Sequence, residues 1–397
     1  MHKNINILKK QRPIIKYIIL VILCIIIIFI EINYKIILIN NGLISEKWIV
    51  MITFNTPKPS IKNLLKILGT WKIVVLGNTK KNDIKWKFLS HSKQYTYLSI
   101  KDQLKLGYKT TQYLNFNNYS SKNIGYLYAI QHGAKEIYEI DEDLIISKIE
   151  NLDINNNFSI CYGVRNDTLM INPYSYFGEN NIWPRGFRIS DIGKDYNNNF
   201  YNIKSNQIII KPLIFQGLIN GIPDVDSIFL QTRIRKNNII DVNFLDIYPL
   251  LYFPGQYIPL NSKNTKYLYD IFPFIVLPIT VKESISDILR GFILQRFAWG
   301  YNGTIIYHRS DTYKNEISSS TKKEERDLFV KLDQILDLIN DKTKTNNNNP
   351  IELLIIIINN LIKEGILHKN DLDVYKAFLY DLSQFGFIYS NIILIIF

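Results

Sequence analysis

The run Lys135-Glu-Ile-Tyr-Glu-Ile-Asp-Glu-Asp143 constrains the fold of this chain more than any other stretch. Ile137, Tyr138 and Ile140 suit a short buried strand, and three adjacent acids end it, so the carboxylates fall at the strand's carboxyl end. Open α/β sheets bind ligands at that edge. Three acids in a row repel one another, and Asp141 and Asp143, two apart, suit one hard divalent cation such as Mg²⁺ or Mn²⁺. The alternative for the same residues is a solvated acidic turn.

The neighbouring segments extend this strand into an αβ unit. Ser121 to Ala134 reads as a Ser-started helix with apolar positions Ile124, Leu127, Tyr128 and Ile130, closed by Gly133. Upstream, Trp48 to Phe54 is a continuous apolar strand, Ser60 caps a helix over Ile61 to Leu68, and Trp71 to Leu76 is a second strand. Strand, helix, strand in this order gives a right-handed βαβ start. Loops after such strands cup a nucleotide, which makes Thr53, Asn55 and Asn78 candidate base or ribose contacts, or else ordinary turn residues. No Gly-rich phosphate loop occurs, so phosphate binding falls to metal and side chains. Lys122, at the start of its helix, is a candidate for the diphosphate, with a plain surface lysine as the alternative.

The passage from Lys122 to Asp143 closely resembles the STELLO family of Golgi glycosyltransferase-like proteins. The similarity resumes at Ile182-Trp-Pro-Arg-Gly186, at Gln216 to Phe229 and at Pro278 to Trp299, covering roughly residues 47 to 310 with weaker echoes to about 387. The resemblance implies a type II membrane protein with a luminal GT-A-like domain, a Rossmann-like α/β fold that binds a nucleotide-diphosphate sugar and transfers the sugar to a glycan or glycoprotein acceptor. Asp287 matches an Asp of the family segment, which makes it the candidate base, with an N-terminal helix charge as the alternative. Trp183 and Arg185 suit sugar stacking and an anionic donor, although Arg185 equally suits a structural ion pair. Asp224 and Asp226 form a second Asp-x-Asp, assigned to acceptor or sugar contacts or to a turn and helix cap. Arg290 and Arg296 are candidates for the leaving diphosphate or for the acids of the core. His308 is left out of the metal set, because plant members of the family lack a His there.

Residues 1 to 16 carry five Lys or Arg and no acid, and Tyr17 to Ile30 is uninterrupted apolar sequence. Extended to Ile14 and Ile32, a helix here reaches about 28 Å, enough for a thin secretory membrane. The basic flank keeps the amino terminus cytosolic and the bulk of the chain luminal. A cleaved signal peptide is the alternative, disfavoured because no Ala precedes Ala129. The formal charge of +12 is spread with no Lys/Arg run beyond three residues, and this topology separates it from nucleic acid. Cys24 lies in the apolar run and Cys161 is the only other cysteine, so no luminal disulfide is available.

The expected organisation is a cytosolic tail (1–13), a signal anchor and start of the stem (14–38), and the rest of the stem (39–46). A GT-A-like domain (47–312), a flexible linker with one helix (313–350) and a C-terminal helical region (351–397) follow. The expected function is Golgi sugar transfer from a nucleotide-diphosphate donor with Mn²⁺ or Mg²⁺ on Asp141 and Asp143. The alternative is a non-catalytic Golgi scaffold that organises other glycosyltransferases or polysaccharide synthases.

Overall fold

The apolar run after Lys47 becomes the first strand of a mixed α/β unit in a computed structural model. The structure describes residues 21–26, 44–89, 91–116, 118–146, 160–164, 170–194, 200–204, 211–227, 229–230, 241–315, 326–340 and 349–387. Two units separate, Met1–Ser45 and Glu46–Phe397. In the first, residues 21–26 are helical, and most of the expected anchor lies outside the described residues. Among the described residues no helix is long and apolar enough to cross a membrane.

In the second unit the elements run β1 (Lys47–Thr53), α1 (Pro59–Lys66), β2 (Lys72–Gly77), α2 (Asp83–Lys87), β3 (Tyr95–Leu98) and α3 (Ile100–Lys105). Then come α4 (Lys122–Gln131), β4 (Glu136–Asp141), β5 (Ile145–Ile146), β6 (Ile160–Val164), α5 (Pro173–Tyr176), β7 (Phe200–Lys204) and β8 (Pro212–Gly221). β9 (Leu250–Tyr252), β10 (Asn264–Leu268), α6 (Glu283–Gly300), β11 (Thr304–Lys314), α7 (Arg326–Asn340), α8 (Pro350–Lys363) and α9 (Lys369–Gln384) complete it. The first helix begins at Pro59, with Lys58 as its N-cap, rather than on a Ser60 cap; proline has no N–H to leave unsatisfied in a first turn.

The strands form one sheet in the order β3-β2-β1-β4-β10-β8-β11-β9-β6-β7, with β5 paired to β11. β1, β2, β3 and β4 are mutually parallel, and β10 runs antiparallel to β4 and to β8. β1 is buried on both faces, which is why it reads as a continuous apolar run: Val50 and Ile52 join one core, Ile49 and Met51 the other. Strand order reverses beside β1, since β2 and β3 extend to one side and β4 to the other. That reversal is where α/β sheets open a ligand crevice, and Asp141 stands there, in register with Ile52.

α4 lies tight on this sheet. Lys122 to Ile130 are all buried, and a Cβ on Gly125 would come within 2.6 Å of Val50 Cγ1. Helix α6 is buried along most of its length, and its Phe292, Ile293 and Leu294 join the same core as Ile52 and Ile124. The carboxyl-terminal helices belong to that core as well, through Leu332, Leu336, Leu354, Ile358, Phe378 and Leu382. Two buried aspartates of α9 fasten it. Asp381 accepts from the Lys109 and Thr110 amides at 2.8 and 2.9 Å, and Asp371 from those of Ile279 and Thr280 at 2.7 and 3.1 Å.

Asp311 on β11 is also buried, and Asn264 Nδ2 donates to its Oδ1 at 3.0 Å. Burial pushes its carboxyl up to about 6, with the Asn264 bond acting the other way. The folded state thus holds this proton more tightly than the unfolded chain. The associated stability is complete below about pH 4 and lost as pH rises through about 6, on the order of 2–3 kcal/mol. Asp311→Asn keeps the acceptor and removes the charge, so we expect a higher Tm than the parent at pH 7.5 and a smaller gap at pH 5. Thermal melts across that range check this, and a variant that melts lower at pH 7.5 contradicts it.

Candidate functional site

Alternation along β4 builds the centre of the site. Residues two apart on a strand share a face, so Glu139 and Asp141 point the same way. Lys122, in the first turn of α4, meets both: its Nζ lies 2.8 Å from Asp141 Oδ1 and 3.2 Å from Glu139 Oε1, and donates to the Ser262 carbonyl at 2.9 Å. Glu139 is fully enclosed, with Arg290 Nη2 3.0 Å from its Oε2 and the hydroxyls of Tyr126 and Tyr267 donating at 2.5 and 2.9 Å. Lys122, expected on the surface or at a diphosphate, therefore sits behind Asp141 with no exposed surface. Burial works against its charge, and Asp141 and Glu139 outweigh burial. Arg290 serves the acid of the core, one of its two expected roles.

The three consecutive acids diverge. Leu144 N–H donates to the Asp141 carbonyl at 3.3 Å, closing a turn whose corners are Glu142 and Asp143. Glu142 folds back onto the end of β1, where it accepts from Thr53 Oγ1 and from Asn55 Nδ2 at 2.6 Å. The first two expected nucleotide contacts are thus partners of Glu142. Asn78 is buried, its Nδ2 donating to the Asn118 carbonyl at 3.4 Å. Asp143 turns toward β11, and Lys314 Nζ lies 2.7 Å from its Oδ2. Among the described residues its Oδ1 has no hydrogen-bond partner, and Asp141 Oδ2 has only the long 3.5 Å bond from Tyr119. Burial pushes the Asp141 carboxyl above the usual range; Lys122 opposes this and the Asp143 charge adds to it. At Asp143 the Lys314 ammonium outweighs burial and holds the carboxyl low.

A cleft opens beside these two acids, and Arg185, Asp224, Lys263 and Asp287 line it with them. Arg185 ties this second cluster together. Its Nη1 and Nη2 each lie 2.8 Å from an Asp287 oxygen, its Nε and Nη2 lie 3.2 and 3.0 Å from Asp224, and Nη1 also reaches the Ser284 carbonyl. Asp287, expected as base, also accepts from the amides of Ser262 and Ile288 at 3.1 and 2.9 Å. Burial raises its proton affinity, but Arg185 outweighs burial and the carboxyl stays below its ordinary range. A base needs the opposite tuning, so this geometry suits Asp287 to anchoring Arg185. Asp224 is held far below the ordinary range against burial by Arg185 and then Lys263.

The second Asp-x-Asp does not act as a pair. Asp226 accepts from Trp183 Nε1 and from the Phe229 amide at 2.6 Å, the turn-and-cap alternative named for it. Trp183 packs edge-on against Phe229 at 5.3 Å. His308 lines a different pocket with Arg309 and Asp246. Among the described residues no group of three or more His, Cys, Asp or Glu side chains is arranged to hold a metal.

Lys263, Lys314 and Tyr119 line the cleft without having been singled out in the sequence. Lys263 precedes β10 and Lys314 ends β11, both in the mixed half of the sheet, and neither carries a local motif. We expect Glu139→Gln to destabilise the fold by about 3–5 kcal/mol, because it leaves Arg290 and Lys122 short of a buried counter-charge. A urea denaturation midpoint reads this, and a loss under about 1 kcal/mol would show that the network can rearrange without Glu139.

No protein-family model matches the chain. It is 31% identical over 358 residues to the probable glycosyltransferase STELLO1 of Arabidopsis thaliana and 28% identical over 361 residues to the probable glycosyltransferase STELLO2 of the same plant. Each alignment takes in 86% of this chain and 45% of the relative, so the chain spans about half the length of the curated relatives it matches. The mixed sheet with its crevice beside β1 fits the Rossmann-like fold of a glycosyltransferase. By this similarity, across four fifths of its length and more, the chain is a member of the STELLO family.

Proposed function

We propose that the chain is a GT-A-like glycosyltransferase that moves a sugar from a nucleotide-diphosphate donor to a glycan or glycoprotein, with Mn²⁺ or Mg²⁺ at Asp141 and Asp143. One observation carries the reading. Two carboxylates leave a single turn at the sheet's crevice, and among the described residues each keeps one oxygen that no lysine takes, Asp143 Oδ1 and Asp141 Oδ2. Hard divalent cations are held in this way, by one or two carboxylates together with substrate phosphates and water, so the residues fit. When bound, the ion would neutralise charge developing on the leaving diphosphate.

The chain's own residues do the positioning. Lys122 fixes the Asp141 carboxylate from behind and Lys314 fixes that of Asp143, so both present their remaining oxygen without rearrangement. Arg185 holds Asp224 and Asp287 in the wall of the same cleft, whereas Trp183, two residues earlier, donates its indole N–H to Asp226 and lines a different pocket. The names of the relatives are those of transferases and do not favour a non-catalytic scaffold.

The detergent-solubilised full chain is expected to bind a nucleoside diphosphate in the presence of Mn²⁺ or Mg²⁺ and to lose that binding in EDTA. Asp143→Ala should abolish binding in a chain that still folds, at a lowered Tm, because removing the carboxylate leaves the 7% exposed Lys314 ammonium without its counter-charge. Calorimetric titration with and without metal decides, and metal-independent binding or none would sink the proposal.

The same proposal places the chain in the Golgi membrane as a single-pass type II protein, on the strength of the basic residues 1–16 followed by the apolar run Tyr17 to Ile30. In sealed microsomes a carboxyl-terminal tag should resist protease until detergent is added. Digestion without detergent rules this topology out.

A further inference from the structure

Resting on the donor site proposed above, we infer that Lys263 is the cation that grips the donor's diphosphate. The other basic groups of the cleft are committed. Arg185 gives Nε, Nη1 and Nη2 to Asp224, Asp287 and the Ser284 carbonyl. Lys122 gives its three ammonium protons to Asp141, Glu139 and the Ser262 carbonyl and has no exposed surface. Lys314 is 7% exposed and closes on Asp143.

Lys263 differs in three respects. Its side chain is 21% exposed on the cleft wall, and among the described residues its ammonium makes one hydrogen bond, to Asp224 Oδ1 at 2.5 Å. Two of its protons are therefore available to an incoming anion. Asp224 does not depend on it, because Arg185 engages both Asp224 oxygens, so the ammonium can leave without stranding a buried charge.

The main chain around Lys263 is fixed by three hydrogen bonds, while among the described residues the side chain is held by its one ion pair, to Asp224. Ser262 N–H donates to Asp287 Oδ2 at 3.1 Å, its carbonyl accepts from Lys122, and Lys263 N–H donates to Asn261 Oδ1 at 3.0 Å. A long flexible stem on a rigid base suits a phosphate that arrives with its own geometry, for which a lysine acts as a point charge. Asp141, Asp143 and Lys263 line the same cleft, so a diphosphate held there with a metal ion would come to the same wall as Lys263. At rest the ammonium neutralises Asp224; with donor bound it shifts to the phosphate.

The test is calorimetric titration of the full chain in detergent with Mn²⁺, using UDP, GDP, ADP and CDP and the four matching nucleosides. For whichever diphosphate binds, Lys263→Met should raise Kd about tenfold or more. Lys263→Arg should retain most of the affinity, and weak nucleoside binding should not move. Asp224→Asn, which releases Lys263 from its partner, should bind the same diphosphate at least as tightly as the parent. This second variant gives a readout of opposite sign should Lys263→Met fail to fold. An unchanged Kd in Lys263→Met, equal losses for diphosphate and nucleoside, or weakening by Asp224→Asn overturns the role of Lys263 and leaves the donor site standing. If the parent chain binds no diphosphate at all, both readings fall.

Discussion

The buried ion series Arg290, Glu139, Lys122, Asp141 is the interaction on which the rest of the structure depends. It joins α6, β4 and α4, and it ends at the cleft. Two positive and two negative groups cancel, which is what makes their burial tolerable; any one alone in that interior would cost several kcal/mol. Such a series adds little net stability compared with an apolar core of the same volume. What it provides is a defined orientation for Asp141, whose oxygens would otherwise be free to rotate at the strand end. Tyr126 and Tyr267 complete the lining of Glu139, leaving its carboxylate a single arrangement.

The same logic extends to the opposite wall. Arg185 serves two aspartates through a planar fork, a task a lysine could not perform, and those aspartates are far apart in sequence, one before a turn of helix and one inside α6. The two-residue segment Ser262–Lys263 links the walls: its carbonyl belongs to Lys122, its amide to Asp287 and its ammonium to Asp224. Asp141, Asp143, Asp224 and Asp287 thus each face a basic partner.

The acidic run Asp141-Glu-Asp143 shows how local repulsion is resolved by tertiary partners. Within the strand and turn these charges have nowhere to go. In the fold each takes a different direction, to Lys122, to the end of β1 and to Lys314. The carboxyl-terminal helices support this arrangement at a distance, since Asp371 of α9 holds the two amides that lead into α6, and α6 carries both Asp287 and Arg290.

Much of this was legible in the residues themselves. The continuous apolar runs at Lys47–Thr53 and Lys72–Gly77, the helix after Ser121 and the strand ending in acids gave the parallel half of the sheet, because local periodicity and burial on both faces leave a direct imprint on sequence. Where Asp141 stands followed from strand polarity alone. Three things were decided only by tertiary structure. The mixed half, with β8, β10 and β11, pairs residues some 50 to 90 positions apart, and no local pattern records such pairing. The partners of Thr53, Asn55 and Asp287 came from elsewhere in the chain, so residue types that suit a ligand were taken by Glu142 and Arg185. Lys263 and Lys314 entered the cleft through strand register, and one lysine among many carries no mark of its position until the sheet is assembled. Sequence fixes what each strand and helix can bury; which charges meet across the crevice depends on how those elements are stacked, since electrostatic partners are chosen by distance in space and not along the chain.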